Sequence, residues 1–194
     1  MSALTHELPA EAINAKLLAL IAAGAIFVGI FLSGFVIREP APYDIYMVGL
    51  IAVWGLFGLR ISRFVAPLVV LLIVFNIGGL IAMTQMADLM ETPLYLAVSL
   101  FLAFTAIFYA AVLETRPDTY RLIFIAYVVS AVVTSLLGIA GYFHAFPGAD
   151  IFTRYERAAG AFQDPNVFGP FLALPGVYLL YLLLTGPVSR MPLL

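Results

Sequence analysis

Apolar residues in this chain form long uninterrupted runs, and polar residues are concentrated in the short stretches between them. A helix that crosses about 30 Å of hydrocarbon needs about 20 apolar residues, and a central Lys, Arg or Asp costs about 2.5–3.5 kcal/mol. About six runs approach or exceed that length without an internal Asp, Glu, Lys, Arg or His: 17–37, 45–59, 64–86, 93–113, 122–143 and 167–185. The pattern predicts an all-α polytopic membrane protein, with residues 1–194 as one transmembrane helical domain.

The second and third runs each depart from a uniform apolar helix. At about 1.5 Å per residue, 45–59 is short for the bilayer. It can span the bilayer if the Arg60 side chain reaches toward the interface and the helix extends to Ser62. In the third run, Asn76 precedes two glycines, and we expect it to pack between helices rather than to bind a ligand.

Composition agrees with lipid as the main solvent, because the chain is 64% hydrophobic and only 10% charged. A soluble domain carries about 25% charged residues. The formal net charge of −2 gives no basic field for nucleic acid, and the absence of cysteine removes disulfides and thiol chemistry. His6 and His144 are far apart in sequence. We therefore expect surrounding membrane lipids as partners, and neither a metal site nor a bound nucleic acid.

The distribution of Lys and Arg predicts the orientation, because these residues are enriched in cytoplasmic loops. With the N-terminus in the cytoplasm, the outside residues would be Arg38, Arg154 and Arg157. The inside residues would be Lys16, Arg60, Arg63, Arg116, Arg121 and Arg190. This split of 6 to 3 favours a cytoplasmic N-terminus. It places the longest loop, 144–166, outside the cytoplasm.

That loop carries the densest charge in the chain. If 151–162 is helical, its apolar residues share one face, while Arg154 and Arg157 are neighbours on another. The pattern predicts a short amphipathic helix lying in the outer membrane interface. Guanidinium groups bind phosphate in a bidentate manner. The alternative is structural: the two arginines anchor the loop to lipid headgroups, or pair with Glu156 and Asp164.

The end of the loop carries a helix-start signal, because Asp164 and Pro165 precede the last apolar run. Asp accepts backbone N–H bonds at a cap, and Pro suits the first turn. We expect Asp164 to cap this helix rather than to act as an acid or base. Gly160 is expected to end the interfacial helix. Pro170 and Pro175 are expected to kink or break the last span.

Residues 157–169 read RAAGAFQDPNVFG. This segment resembles the R-x-x-G-x-F-x-[N/D]-P-N-x-x-G signature of the O-antigen ligase and O-antigen polymerase superfamily, with seven matching positions. Members are bacterial inner-membrane proteins of about a dozen helices. Their signature lies in a periplasmic loop just before a membrane helix, as the charge distribution independently predicts here. By this resemblance, the chain covers roughly the N-terminal half of a family member.

The resemblance implies a glycosyltransferase that needs neither a metal nor another cofactor. Such a ligase or polymerase moves a glycan from undecaprenyl diphosphate to a lipid A core or to another carrier-linked glycan, in O-antigen, lipopolysaccharide or exopolysaccharide biosynthesis. Arg157 would match the motif arginine, which grips the diphosphate and stabilises its growing charge; Arg154 is added only from helical geometry. The residues expected to shape the loop and the start of the last helix are Gly160, Phe162, Asp164, Pro165, Asn166 and Gly169.

Two questions stay open at the level of sequence. General-base catalysis requires a group that activates the acceptor, and His144 is a weak candidate because an interfacial histidine needs no special role. The alternative function is a non-enzymatic membrane protein, either a transporter fragment or an assembly scaffold. The spans lack ionisable residues, which argues against ion-coupled transport but not against a scaffold.

Overall fold

The computed structural model describes residues 10–58, 60–85 and 92–185. These residues form six α-helices: α1 Ala10–Leu32, α2 Pro42–Leu56, α3 Ala66–Met83, α4 Thr92–Thr115, α5 Thr119–Tyr142 and α6 Pro165–Thr185. Five of them are long and apolar enough to cross a membrane, and α2 is a shorter apolar helix. The prediction of an all-α polytopic membrane protein is confirmed. His6, Leu59, Met86 and Arg190, which entered the sequence predictions, lie outside the described residues.

The first helix is displaced toward the N-terminus from the predicted run 17–37. It begins at Ala10 and ends at Leu32, although the apolar residues continue to Ile37. The reason is tertiary: Val36 is extended and forms a parallel β-bridge with Phe162, in which its N–H donates to the Ala161 carbonyl at 2.7 Å. A helical Val36 could not make this bond, so the docked loop ends the helical region early.

The second helix does not extend to Ser62, so that condition for a full span is not met. Helix α2 has 15 residues and ends at Leu56, which gives a length of about 22 Å. Gly58 then adopts a left-handed conformation with φ of 88°. Glycine reaches that conformation without steric cost, and it commonly ends a helix there.

The prediction of a short interfacial helix over 151–162 is wrong. The chain instead forms a 3-10 turn over Ala149–Phe152 and then an antiparallel hairpin of β1, Thr153–Arg154, and β2, Arg157–Ala158. Tyr155 and Glu156 form the two-residue turn with φ of 52° and 57°, the backbone of a type I′ hairpin. Gly160 follows with φ of 56°, so it belongs to the loop and does not end a helix.

The described helices divide into two compact units. One unit, Asp44–Tyr120, contains a polar contact between α3 and α4, in which the Ser99 hydroxyl donates to Asn76 Oδ1 at 2.9 Å. Asn76 is 7% exposed, and its amide also donates to the Leu72 carbonyl. The prediction that Asn76 packs between helices is confirmed.

The other unit contains α1, α5, α6 and the loop before α6. One face of α5 is built from small residues and is buried, and its members are Ala126, Ser130, Ala131, Thr134, Gly138 and Gly141. Ser130 donates its hydroxyl to the Phe31 carbonyl at 2.7 Å. A Cβ on Gly34 would collide with the Ser130 hydroxyl. Close approach of backbones through small residues is how membrane helices associate.

Helix α6 is continuous through Pro170 and Pro175, so the last span is not broken there, and the kink that was the other expectation stays a prediction. Pro175 has no N–H, which removes the usual donor to the Phe171 carbonyl four residues earlier. The Tyr127 hydroxyl of α5 donates to that carbonyl at 2.7 Å. In lipid a freed backbone group must find such a partner within the protein.

Replacing Tyr127 with phenylalanine is expected to lower the free energy of unfolding by about 1 kcal/mol, because it leaves the Phe171 carbonyl without its donor. Unfolding of purified protein in mixed micelles measures this change. Tyr178→Phe is the matched control: Tyr178 lies on the facing helix α6, and its ring packs on Phe124 of α5 with 5.0 Å between the ring centroids. The control should stay within about 0.5 kcal/mol of the wild type. Equal losses in both variants would contradict the role assigned to Tyr127.

Candidate functional site

The loop between α5 and α6 folds back along α5 instead of projecting away from it. Thr134, which is fully buried, accepts the N–H of Ala161 with its hydroxyl at 2.7 Å. Thr134 lies eight residues before the end of α5 at Tyr142, or about 12 Å along the helix axis. The segment 159–162 therefore lies well below the end of α5, against the helix wall.

Within a membrane, non-helical backbone is tolerated only where protein covers it and satisfies its polar groups. Both conditions hold here. Ala159, Ala161 and Phe162 are buried, with at most 5% exposure. The Ala159 N–H donates to the Phe152 carbonyl at 2.9 Å, and the Ala161 carbonyl accepts from Val36.

Glycines make this close docking possible. A Cβ on Gly160 would lie 2.7 Å from the Thr134 hydroxyl and 2.6 Å from the Phe168 ring. A Cβ on Gly141 would lie 2.8 Å from Phe152 Cβ. Contacts below 3.0 Å do not occur between real side chains and backbone without rearrangement. The loop and α5 thus fit together because neither carries a side chain at these points.

The start of α6 is fixed in the way that the sequence predicts. Asp164 accepts the N–H of Asn166 on its carboxylate at 2.8 Å, and its carbonyl accepts from Val167 and Phe168. Pro165 is the first residue of the helix. The prediction that Asp164 caps α6 is confirmed.

The hairpin brings Arg154 and Arg157 together. The two residues are directly paired across β1 and β2, so their side chains project from the same face. Each guanidinium is held through one nitrogen to the start of α6: Arg154 Nη1 donates to the Gln163 carbonyl at 2.8 Å, and Arg157 Nη1 donates to Asn166 Oδ1 at 3.1 Å. The remaining N–H groups of both side chains are left for an external acceptor.

Both acceptors are neutral, so neither arginine has its charge compensated. Within the described part of the chain, neither Arg154 nor Arg157 forms an ion pair with a carboxylate, whereas His144 pairs with Asp150. The pairing of the arginines with Glu156 or Asp164, the alternative considered from the sequence, is not formed there. Two like charges directly opposite each other on a hairpin are destabilising, and an anion bound between them would relieve the repulsion.

An open depression lies beside the arginines, with a volume of about 440 Å³. It is lined by Tyr142, His144, Asp150, Thr153, Arg154, Tyr155 and Glu156. His144 Nδ1 lies 2.6 Å from Asp150 Oδ1, and both side chains are about three-quarters exposed. The depression therefore combines a permanent cation, a carboxylate–imidazole pair and two exposed tyrosines.

The structure brings most of the sequence-predicted site residues together. Arg157 contacts Asn166, Gly160 packs on Phe168, and the Phe162 and Phe168 rings are 5.8 Å apart. Gly169 is the exception, because a Cβ there would meet nothing within 4 Å. Nothing in the structure explains a glycine at that position.

Sequence reasoning missed the surface that receives the loop. Ser130, Thr134 and Gly138 recur every four residues on α5, which is the small-residue spacing of closely packed membrane helices. That spacing indicates close packing, but it does not reveal that a loop rather than another helix occupies the face.

Comparisons of the chain with protein-family models, with curated proteins and with solved structures found no match. The resemblance of residues 157–169 to the superfamily signature thus remains an expectation from the sequence.

Proposed function

We propose that this protein belongs to a glycan ligase or polymerase system of the bacterial inner membrane. It transfers a glycan from undecaprenyl diphosphate to a glycan or lipid A core acceptor, in O-antigen, lipopolysaccharide or exopolysaccharide biosynthesis. The transfer takes place on the periplasmic side, with the N-terminus in the cytoplasm and all six helices crossing the membrane.

The observation that carries this proposal is the pair Arg154 and Arg157. They are opposed across a hairpin, held in place by neutral acceptors, and without a carboxylate partner among the described residues. A diphosphate offers several oxygen acceptors and more than one negative charge to two adjacent guanidinium forks. It therefore suits this pair better than a single phosphate does.

The position of the pair also suits a lipid-linked substrate. The segment that follows β2 docks about 12 Å below the end of α5, and the arginines lie at the edge of this docked segment. A polyprenyl chain in the hydrocarbon would present its diphosphate near the membrane surface, within reach of the hairpin. A soluble nucleotide sugar would need no such placement.

In this proposal Arg157 has the catalytic role. When the glycosidic bond to the carrier breaks, negative charge grows on the leaving diphosphate, and a preorganised guanidinium stabilises that charge. Arg154 holds the other end of the diphosphate. Asn166 fixes the direction of Arg157, so the cation need not reorganise during the reaction.

Binding of undecaprenyl diphosphate to protein in nanodiscs tests the proposal. A double Arg154→Gln, Arg157→Gln variant is expected to weaken binding by roughly a hundredfold, because each charge-assisted hydrogen bond contributes about 1.5–3 kcal/mol. The control is Arg60→Gln, Arg116→Gln, which removes the same charge from the predicted cytoplasmic side. Equal affinity of the two double variants for undecaprenyl diphosphate would refute the diphosphate site. A scaffold without a carrier site would then be the better hypothesis.

A further inference from the structure

We propose that His144, oriented by Asp150, is the general base that removes the proton from the acceptor hydroxyl. This inference rests on the proposed function, since it names the residue that completes the same transfer. The acceptor is a sugar hydroxyl bound in the depression beside the hairpin.

The backbone holds His144 in a defined place. His144 has φ of 49°, and its N–H donates to the Gly141 carbonyl while that of Ala145 donates to the Ala140 carbonyl. This is the Schellman arrangement that ends a helix, and glycine is the usual residue at the left-handed position. A histidine there carries a conformational cost that glycine would avoid. The helix end therefore fixes the backbone of His144 beside the depression that its side chain lines.

The imidazole has the environment of a base. Asp150 Oδ1 lies 2.6 Å from His144 Nδ1. With Asp150 accepting from Nδ1–H, the lone pair resides on Nε2, which faces away from the carboxylate. The carboxylate fixes the tautomer and the orientation of the ring. Thr153 reinforces the geometry, because its hydroxyl donates to the Asp150 carbonyl at 3.1 Å.

The same depression contains, beside His144, an arginine of the proposed diphosphate site and two tyrosines that can contact the acceptor sugar. Arg154 lines it and is paired across the hairpin with Arg157, so the proposed diphosphate lies at its edge. Tyr142 and Tyr155 also line it and are mostly exposed. Their rings offer an apolar face and a hydroxyl to a sugar. A volume of about 440 Å³ falls in the range of small-ligand sites.

The step balances without any further reactant. The acceptor oxygen attacks the anomeric carbon of the carrier-linked sugar, and a new carbon–oxygen bond forms. The bond between that carbon and the carrier phosphate oxygen breaks, and its electron pair leaves with the diphosphate. The acceptor proton moves to His144 Nε2 and later passes to water.

His144→Asn tests this role with little structural disturbance. Asparagine tolerates the left-handed conformation, and its amide N–H can replace the donor to Asp150, but it offers no base. We expect glycan transfer to fall at least a hundredfold, since general-base catalysis contributes about 10²–10⁴. Binding of undecaprenyl diphosphate should remain within about twofold of the wild type.

His144→Gly provides the second measurement, because glycine keeps the helix end and leaves a space where the imidazole was. Added imidazole is expected to restore part of its transfer activity, which a merely structural role would not allow. Transfer at the wild-type rate in His144→Asn would overturn the inference, and so would a His144→Gly variant that imidazole leaves inactive. Unchanged diphosphate binding in the arginine double variant would instead count against the proposed function, so the two failures are distinguishable.

Discussion

Replacing Arg157 with alanine is expected to abolish glycan transfer while membrane insertion remains intact. The guanidinium has no carboxylate partner among the described residues, and Asn166 holds it at 3.1 Å. Its removal therefore frees no buried charge, so the fold should tolerate the change. Loss of one preorganised donor to a developing anion lowers the rate by about 10²–10³. The measurement is the surface-polysaccharide ladder of cells that carry the variant, with protein levels checked in isolated membranes.

Arg157→Lys sharpens this prediction. Lysine keeps the charge but loses the planar fork that binds two oxygens at once, and it cannot bond Asn166 and a diphosphate with the same geometry. We expect transfer to be reduced nearly as far as in Arg157→Ala, with binding of the diphosphate less affected.

Arg38→Ala is the matched control for both variants. Arg38 is an exposed arginine on the same predicted side of the membrane, and its loss should leave transfer unchanged. A normal ladder from Arg157→Ala would remove the catalytic role. An equal loss from Arg38→Ala would indicate a general need for positive charge rather than a defined site.

The apolar runs predicted the membrane helices well because the cost of charge in lipid acts locally. Each run without Asp, Glu, Lys, Arg or His formed a helix, and the shortest run gave the shorter apolar helix α2. The ends were harder to predict. Phe35 and Val36 are as apolar as the residues of α1 before them, yet Val36 is extended because it pairs with Phe162. Such a contact, 126 residues apart in sequence, leaves no local signal.

The candidate site was predicted in part, and in one respect for the wrong reason. Arg154 and Arg157 are neighbours, as the sequence suggested, but they meet across a hairpin rather than on one helix turn. A separation of three residues brings two side chains together both on a helical turn and across a hairpin with a two-residue turn. Tyr155 and Glu156 carry no Asn-Gly turn signal, so the helix was the natural prediction. The turn forms because the segments on both sides are fixed: Phe152 packs on Gly141, and Ala161 bonds to Thr134.

The geometry of the site depends on the close contact between Gly160 and α5. We therefore expect Gly160→Ala to undock the loop from α5. The new methyl group would lie 2.7 Å from the Thr134 hydroxyl and 2.8 Å from the Thr134 carbonyl. The carbonyl belongs to α5 and cannot move aside. Overpacking of this kind costs about 1–3 kcal/mol, and the left-handed backbone adds about 1–2 kcal/mol for alanine. The adjacent Ala161 N–H would lose its bond to Thr134 as well.

Gly148→Ala separates the cost of the steric clash from the cost of the left-handed backbone. Gly148 also has a positive φ, of 85°, but a Cβ there meets nothing within 4 Å, so only the backbone cost applies. Trypsin cleavage after Arg154 and Arg157 in nanodiscs measures undocking, because proteolysis follows the population of the open loop when opening is fast. Cleavage of Gly160→Ala should exceed that of Gly148→Ala roughly tenfold or more, since each 1.4 kcal/mol changes a population tenfold. Equal cleavage would mean that the loop does not depend on close contact with Thr134, and the arginine pair would then lack the rigid support on which its proposed role depends.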